Sequence, residues 1–222
     1  HEINKKLPAT RNTGIANARG QYIAFLDDDD QWKKDKLCKQ IDAIQNCEAV
    51  LCASTVTGIK PTYRYREDWV TSSTLRKGNI FDPSGLIVRA EVLRKLQFDT
   101  SLPNGVGEDW DMFIRIAERG KIKYIPEPLV IYNDGQGHAR ITNRQAGMSI
   151  SELEKHTRIL EKHHDFFGPF WFHVHVAETL LSYIGSRKRG RVRQLLYTIN
   201  RCGITVVTYV LLRKFGRRLG IC

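Results

Sequence analysis

An α/β domain followed by an all-helical appendage is the fold class predicted by three features of the sequence. Short apolar runs with strand character alternate with segments of helical spacing up to about residue 148, and such alternation argues for a mainly parallel sheet sandwiched by helices. From Ser149 onward the pattern is helical only. Charge divides the chain in a similar way. The formal net charge is +11, yet residues 187–222 hold ten Arg or Lys and no Asp or Glu, leaving residues 1–186 near neutral. The expected organisation is a domain over 1–148 and a basic helical tail over 149–222.

In order, Ala9 to Ala18 reads as a helix that stops near Gly20. Gln21 to Leu26 (QYIAFL) is a short strand bounded by a glycine and by acids. Lys34 to Ile44 has helical spacing, with Leu37, Ile41 and Ile44 on one face, and Ala49 to Ala53 is a buried strand. Thr57 to Phe81, rich in Thr, Arg and Tyr, is an irregular stretch suited to a substrate-side loop. Leu86 to Val88 is a strand, Ala90 to Leu96 a helix, and Asp109 to Arg119 a helix with the stripe Met112, Phe113, Ile116 and Ala117. Lys123 to Ile125 and Leu129 to Tyr132 are strands separated by a turn at Pro126 and Pro128. In the tail, Ser149 to Glu161, Phe166 to Ile184 and Gly190 to Leu219 are helical.

Composition excludes several classes. The hydrophobic share of 41% suits a globular protein with a real core. His1 to Arg11 has no apolar stretch, so nothing there resembles a signal peptide. The five cysteines are odd in number and lack metal spacing, which fits a reduced, cytoplasmic setting. The longest apolar run of the tail, Gly203 to Leu212, is far shorter than the roughly 20 residues that span a bilayer. His163, His164, His173 and His175 sit among aromatic residues and read as part of a helical appendage rather than as metal ligands.

Two acidic clusters carry the chemistry. The first is the run Asp27-Asp28-Asp29-Asp30 behind an apolar strand. Carboxylates at the carboxyl end of a parallel strand sit where α/β sheets bind ligands. Four adjacent acids repel one another unless a hard cation such as Mg²⁺ or Mn²⁺ neutralises them. A solvated turn capping the next helix is the competing reading. The second cluster is Gly107-Glu108-Asp109-Trp110-Asp111, at a helix start. Asp109 is either an N-cap or a general base at a pocket rim, and taken alone the cap is the better reading.

Order and spacing add a further expectation. Arg11, Asn12, Gly14, Ile15, Ala18 and Gly20, then Phe25-Leu26-Asp27-Asp28-Asp29-Asp30, Trp32 and Leu37, resemble a motif series of glycosyltransferase family 2. Pro83 to Arg89, Glu108-Asp109-Trp110-Asp111, Tyr124 to Leu129 and Tyr132 continue the resemblance across roughly residues 7 to 142. It implies a GT-A type fold that is N-terminally truncated, because the strands that open the family's nucleotide-binding half do not precede Lys6. It implies an inverting, metal-dependent transfer from a nucleotide-diphosphate sugar, a UDP-sugar foremost, to a hydroxyl of a saccharide or lipid-linked acceptor in cell-surface glycan synthesis.

The resemblance also implies roles for residues. Asp27 and Asp28 would contact the donor, together with Arg11, Asn12 and Arg140. Asp29 and His138 would hold the metal, although His138 fits a surface-loop histidine equally well. Asp109 would be the base, with Glu108, Trp110, Ser84 and Gly85 on the acceptor side. The basic stretch 187–222 suggests attachment to an anionic membrane surface on its cytoplasmic side, and no nucleic-acid motif accompanies it. The alternatives are a phosphoryl-transfer enzyme and an inactive fragment that binds anionic membranes or nucleic acid.

Overall fold

The computed structural model describes residues 5–56, 65–103, 106–133, 148–182, 184 and 190–218. The chain divides into two compact units, 1–138 and 139–222.

The first unit opens with α1 (Lys6–Asn17), which buries Pro8, Arg11 and Ile15. Then come β1 (Tyr22–Ala24), β2 (Gln31–Trp32), α2 (Lys36–Ala43) and β3 (Ala49–Val56). β4 (Trp69–Val70) and α3 (Ser72–Lys77) lie in the stretch read as irregular, and a 3₁₀ turn over Pro83–Gly85 leads into β5 (Ile87–Arg89). α4 (Ala90–Leu96), α5 (Glu108–Ala117) and β6 (Ile122–Tyr132) complete the unit.

The sheet runs β1-β5-β3-β6-β2, with β4 also paired to β6. The α/β class holds, but the sheet is mixed rather than mainly parallel. β3 and β6 pair parallel, while β1–β5, β3–β5, β2–β6 and β4–β6 are antiparallel. β5 is antiparallel to both neighbours, so β1, β3 and β6 all point the same way. Their carboxyl ends therefore share one edge of the sheet, and the acidic run leaves β1 at that edge.

Two expected strands are one. Pro126 and Pro128 sit inside β6 because the β3–β6 register shifts at Cys52/Ala53 and Ala53/Ser54, and a bulge is where a strand tolerates a residue with no N–H.

α2 also turns differently from its apolar pattern. Leu37 and Ile41 are exposed, whereas Lys36 and Gln40 are wholly buried with Ile44. The reason is a polar network. Lys36 Nζ donates to Gln40 Oε1 at 2.8 Å and lies 4.1 Å over the Trp32 ring. Gln40 Nε2 donates to Gly85 O (2.8 Å) and Val50 O (3.3 Å). With donors and acceptors matched, burying these polar groups becomes affordable. Arg89 closes the far end of the helix by donating to the carbonyls of Ile44, Gln45 and Cys47.

The second unit holds α6 (Ile150–Lys155), α7 (Arg158–Lys162), α8 (His164–Leu180), α9 (Arg191–Cys202) and α10 (Ile204–Arg218). Ser149 and Glu152 form a capping box at the start of α6. The expected last helix is two, divided by Gly203 at φ 86°, a backbone angle that glycine adopts without strain. α8 is kinked at Gly168, just before Pro169. Among the described residues no helix is long and apolar enough to cross a membrane.

Candidate active site

Strand β1 ends at Ala24, and the next residues turn across the sheet edge. Phe25 packs edge-on against Phe98, with ring centroids 5.4 Å apart. Asp30 N donates to Asp27 O at 3.1 Å, closing the turn. Asp28 and Asp29 stand exposed at its tip, while Asp30 points inward and is buried. The turn is tied down by the 3₁₀ segment, since Asp27 N donates to Ser84 Oγ (3.1 Å) and Trp32 Nε1 donates to Ser84 O (2.9 Å).

The second cluster meets the first through Arg11. Its guanidinium donates to Asp27 Oδ1 at 2.9 Å and lies 3.7 Å from Glu108 Oε1. It also sits 5.3 Å from the centre of the Phe98 ring. Residues 11, 27 and 108 thus form one partly buried ion-pair network from α1 to the acidic turn to the start of α5. Gly107, at φ 76°, caps α5, so Asp109 is not the N-cap but lies in the first turn. Its Oδ2 accepts from Asn79 Nδ2 at 3.0 Å and its Oδ1 from Trp110 N at 2.7 Å.

Burial dominates the electrostatics. It raises the Asp109 carboxyl above the ordinary range against the pull of the Trp110 N–H, Arg11 and Asn79. Glu108 is raised by burial and then by Asp109. Asp30 is raised by burial and by Asp29 and Asp27, although Ser84 and the Asn133 N–H oppose this. Asp30 Oδ1 accepts from Asn133 N at 3.2 Å, while its buried Oδ2 has no hydrogen-bond partner among the described residues.

The structure adds Asp82, which was not singled out from sequence. It accepts from Ser54 Oγ and from Gly85 N (2.8 Å), and burial raises it, with Asp30 and Asp27 adding to the effect. An Asp just before a Pro that opens a helical turn is a capping signature, and that was the available signal. Asn79 had none.

Several expected site residues have other commitments. Asn12 uses both ends of its amide on the backbone of Phe98 (2.8 and 2.6 Å). Trp110 donates its indole N–H to Leu75 O at 2.9 Å. Gly85 lies against Cys52, where an added Cβ would come within 3.0 Å of the Cys52 carbonyl. His138 and Arg140 lie outside the described residues. Among the described residues no three His, Cys, Asp or Glu converge to hold a metal.

Residues 1–100 match the family model described as Glycosyl transferase family 2. An uncharacterized glycosyltransferase of Methanocaldococcus jannaschii is 31% identical over 168 residues, 70% of this chain and 54% of the relative. The teichuronic acid biosynthesis glycosyltransferase TuaG of Bacillus subtilis is 44% identical over 57 residues, 26% of this chain and 21% of the relative. The chain thus spans from about a fifth to about half of the length of the curated relatives it matches. In fold it is similar to S. aureus TarS 1–349, with a TM-score of 0.53 at 15% identity over 99% of this chain and 73% of that one. The fold is therefore that of the α/β nucleotide-sugar transferases. The match to glycosyltransferase family 2 lies in the first 100 residues, the part that carries α1, the acidic turn and β5.

Proposed function

We propose that this chain transfers a sugar from a nucleotide-diphosphate sugar to an acceptor hydroxyl with inversion, in the synthesis of a cell-surface polysaccharide or lipid-linked glycan. The observation that carries the reading is the Arg11 bridge, which ties Asp27 of the acidic turn to Glu108, the residue before Asp109. Relatives named for glycosyl transfer support it, as does the S. aureus TarS 1–349 structure in complex with UDP, which shares the fold.

In this reading Asp109 takes the proton from the acceptor hydroxyl, and its raised affinity for protons suits a base working near neutral pH. Asn79 fixes which face of that carboxylate is free. Arg11 orients Asp27 toward the donor. Asp29, exposed at the tip, is the proposed holder of Mg²⁺ or Mn²⁺. The described residues fit such an ion, because sites of this kind use one or two carboxylates together with substrate phosphates rather than a protein cage. When bound, the ion would neutralise charge on the departing diphosphate. Arg140 and His138 remain proposed donor and metal contacts on the same terms.

Incubating the chain with a panel of UDP-sugars and Mn²⁺, with and without saccharide acceptors, tests the proposal. Acceptor-dependent release of UDP with an inverted anomeric product is expected. Hydrolysis of simple phosphate esters in place of sugar transfer would overturn it.

A further inference from the structure

The last two helices both leave apolar side chains outside. α9 buries Gln194, Thr198 and Cys202 and turns Val192 and Leu196 outward at 70% and 60% exposure. α10 buries Val207 and Val210, yet Ile204, Leu211, Leu212 and Phe215 are all exposed. Ile204, Thr208, Leu212 and Phe215 recur at i, i+4, i+8 and i+11, the spacing of a single helix face. The inward donors have partners, since Gln194 Nε2 donates to Leu180 O and Thr198 Oγ1 to Gln194 O. This packing is consequently a settled arrangement, and the apolar face is left outside.

We infer that the outward faces of α9 and α10 dock on an anionic lipid bilayer surface. Charge selects the occupant. Residues 190–218 contain seven Arg or Lys and no acid. A second copy would bring the same positive charge to the same face, and a nucleic acid would gain nothing from Leu196, Leu212 or Phe215. A bilayer with anionic headgroups satisfies both features, taking apolar side chains below the headgroups and arginines among them. Aromatic residues extend the patch. Phe170 is exposed and lies 5.5 Å from Tyr209, and Trp171 lies beside Phe170 with Arg213 5.8 Å from its ring. Trp, Tyr and Arg are the side chains that favour the boundary between headgroup and acyl chain. Neither helix spans the membrane, so the docking is lateral and reversible.

The test is sedimentation of the full chain with vesicles of phosphatidylcholine alone or mixed with phosphatidylglycerol, at low and high salt. Binding should require phosphatidylglycerol and weaken as salt rises. The pair Leu196→Asp and Leu212→Asp should lower vesicle affinity about tenfold or more, with an unchanged circular dichroism spectrum because both side chains already face outward. Val192→Ser with Phe215→Ser serves as a milder second variant. The inference fails if anionic vesicles do not retain the chain or if both variants bind like the parent. Concentration-dependent dimers abolished by the same substitutions, without lipid binding, would overturn it in favour of a second copy. None of these outcomes depends on catalysis.

Discussion

Arg11 of α1 reaches two acids of the site at once, Asp27 at 2.9 Å and Glu108 at 3.7 Å, and is itself only 7% exposed. Removing it strands two carboxylates. Arg11→Met should destabilise the first unit by about 2–3 kcal/mol, less than the ~3–5 of a fully buried pair because Asp27 is one-third exposed. Arg11→Lys should recover only part of this, since an ammonium cannot address both partners with a planar fork. Urea denaturation of the three proteins measures it.

Asp109→Asn should leave folding intact, because the replacement is isosteric and the Trp110 N–H can still donate to the amide oxygen. Transfer should fall by roughly 10²–10⁴, the usual contribution of a positioned base, while affinity for UDP is unchanged. Steady-state kinetics and UDP titration separate the two, and undiminished turnover would remove Asp109 from the role.

The inward acid of the turn gives a pH signature. Asp30 is raised in the folded chain, so its stabilising contribution is complete below the unfolded carboxylate pKa and is lost as pH rises through the folded value. Asp30→Asn should therefore gain in thermal stability relative to the parent on going from acid to neutral pH. In a protein of this size each kcal/mol moves Tm by about 2–4 °C. A difference independent of pH would contradict the burial of that charge.

Burial also disfavours the charged form of Lys36, and its pH dependence runs the opposite way. Burial pushes its ammonium down from 10.5 to about 8, despite Cys52 and Asp82. The folded state binds fewer protons than the unfolded one between those values, so the penalty is complete below about pH 8 and relaxes toward pH 10.5. Relative to Lys36→Met, the parent should gain up to about 3 kcal/mol across that window. Denaturant melts at pH 7 and pH 10 supply the comparison.

What could be read from sequence was what nearest neighbours decide. QYIAFL before four acids announced a strand and a turn, and the stripe of α5 announced its buried face. The acids and Arg11 could be paired only through a family resemblance, because their meeting depends on long-range sheet order. α2 deceived for a physical reason. Leu37 and Ile41 look like a core face, yet the hydrogen bonds available to Lys36 and Gln40 outweighed the apolar pattern. The short strands β2 and β4 exist because β6 offers its edges, and two-residue segments carry no periodicity of their own. Asn12 matched a site motif, and nothing in the sequence signalled that both ends of its amide bond to the backbone of Phe98.

The insertion of β5 between β1 and β3 bears on the order in which the molecule assembles. β1 has its strand partner in Ile87–Arg89, the Asp27 amide finds Ser84 57 positions later, and Asn12 finds Phe98 86 positions later. A ribosome would therefore release the acidic turn before its partners and leave it unanchored until the chain beyond α4 had emerged. The carboxylates are made before the residues that set them in place, so a nascent chain halted before residue 84 would carry the acids without the site.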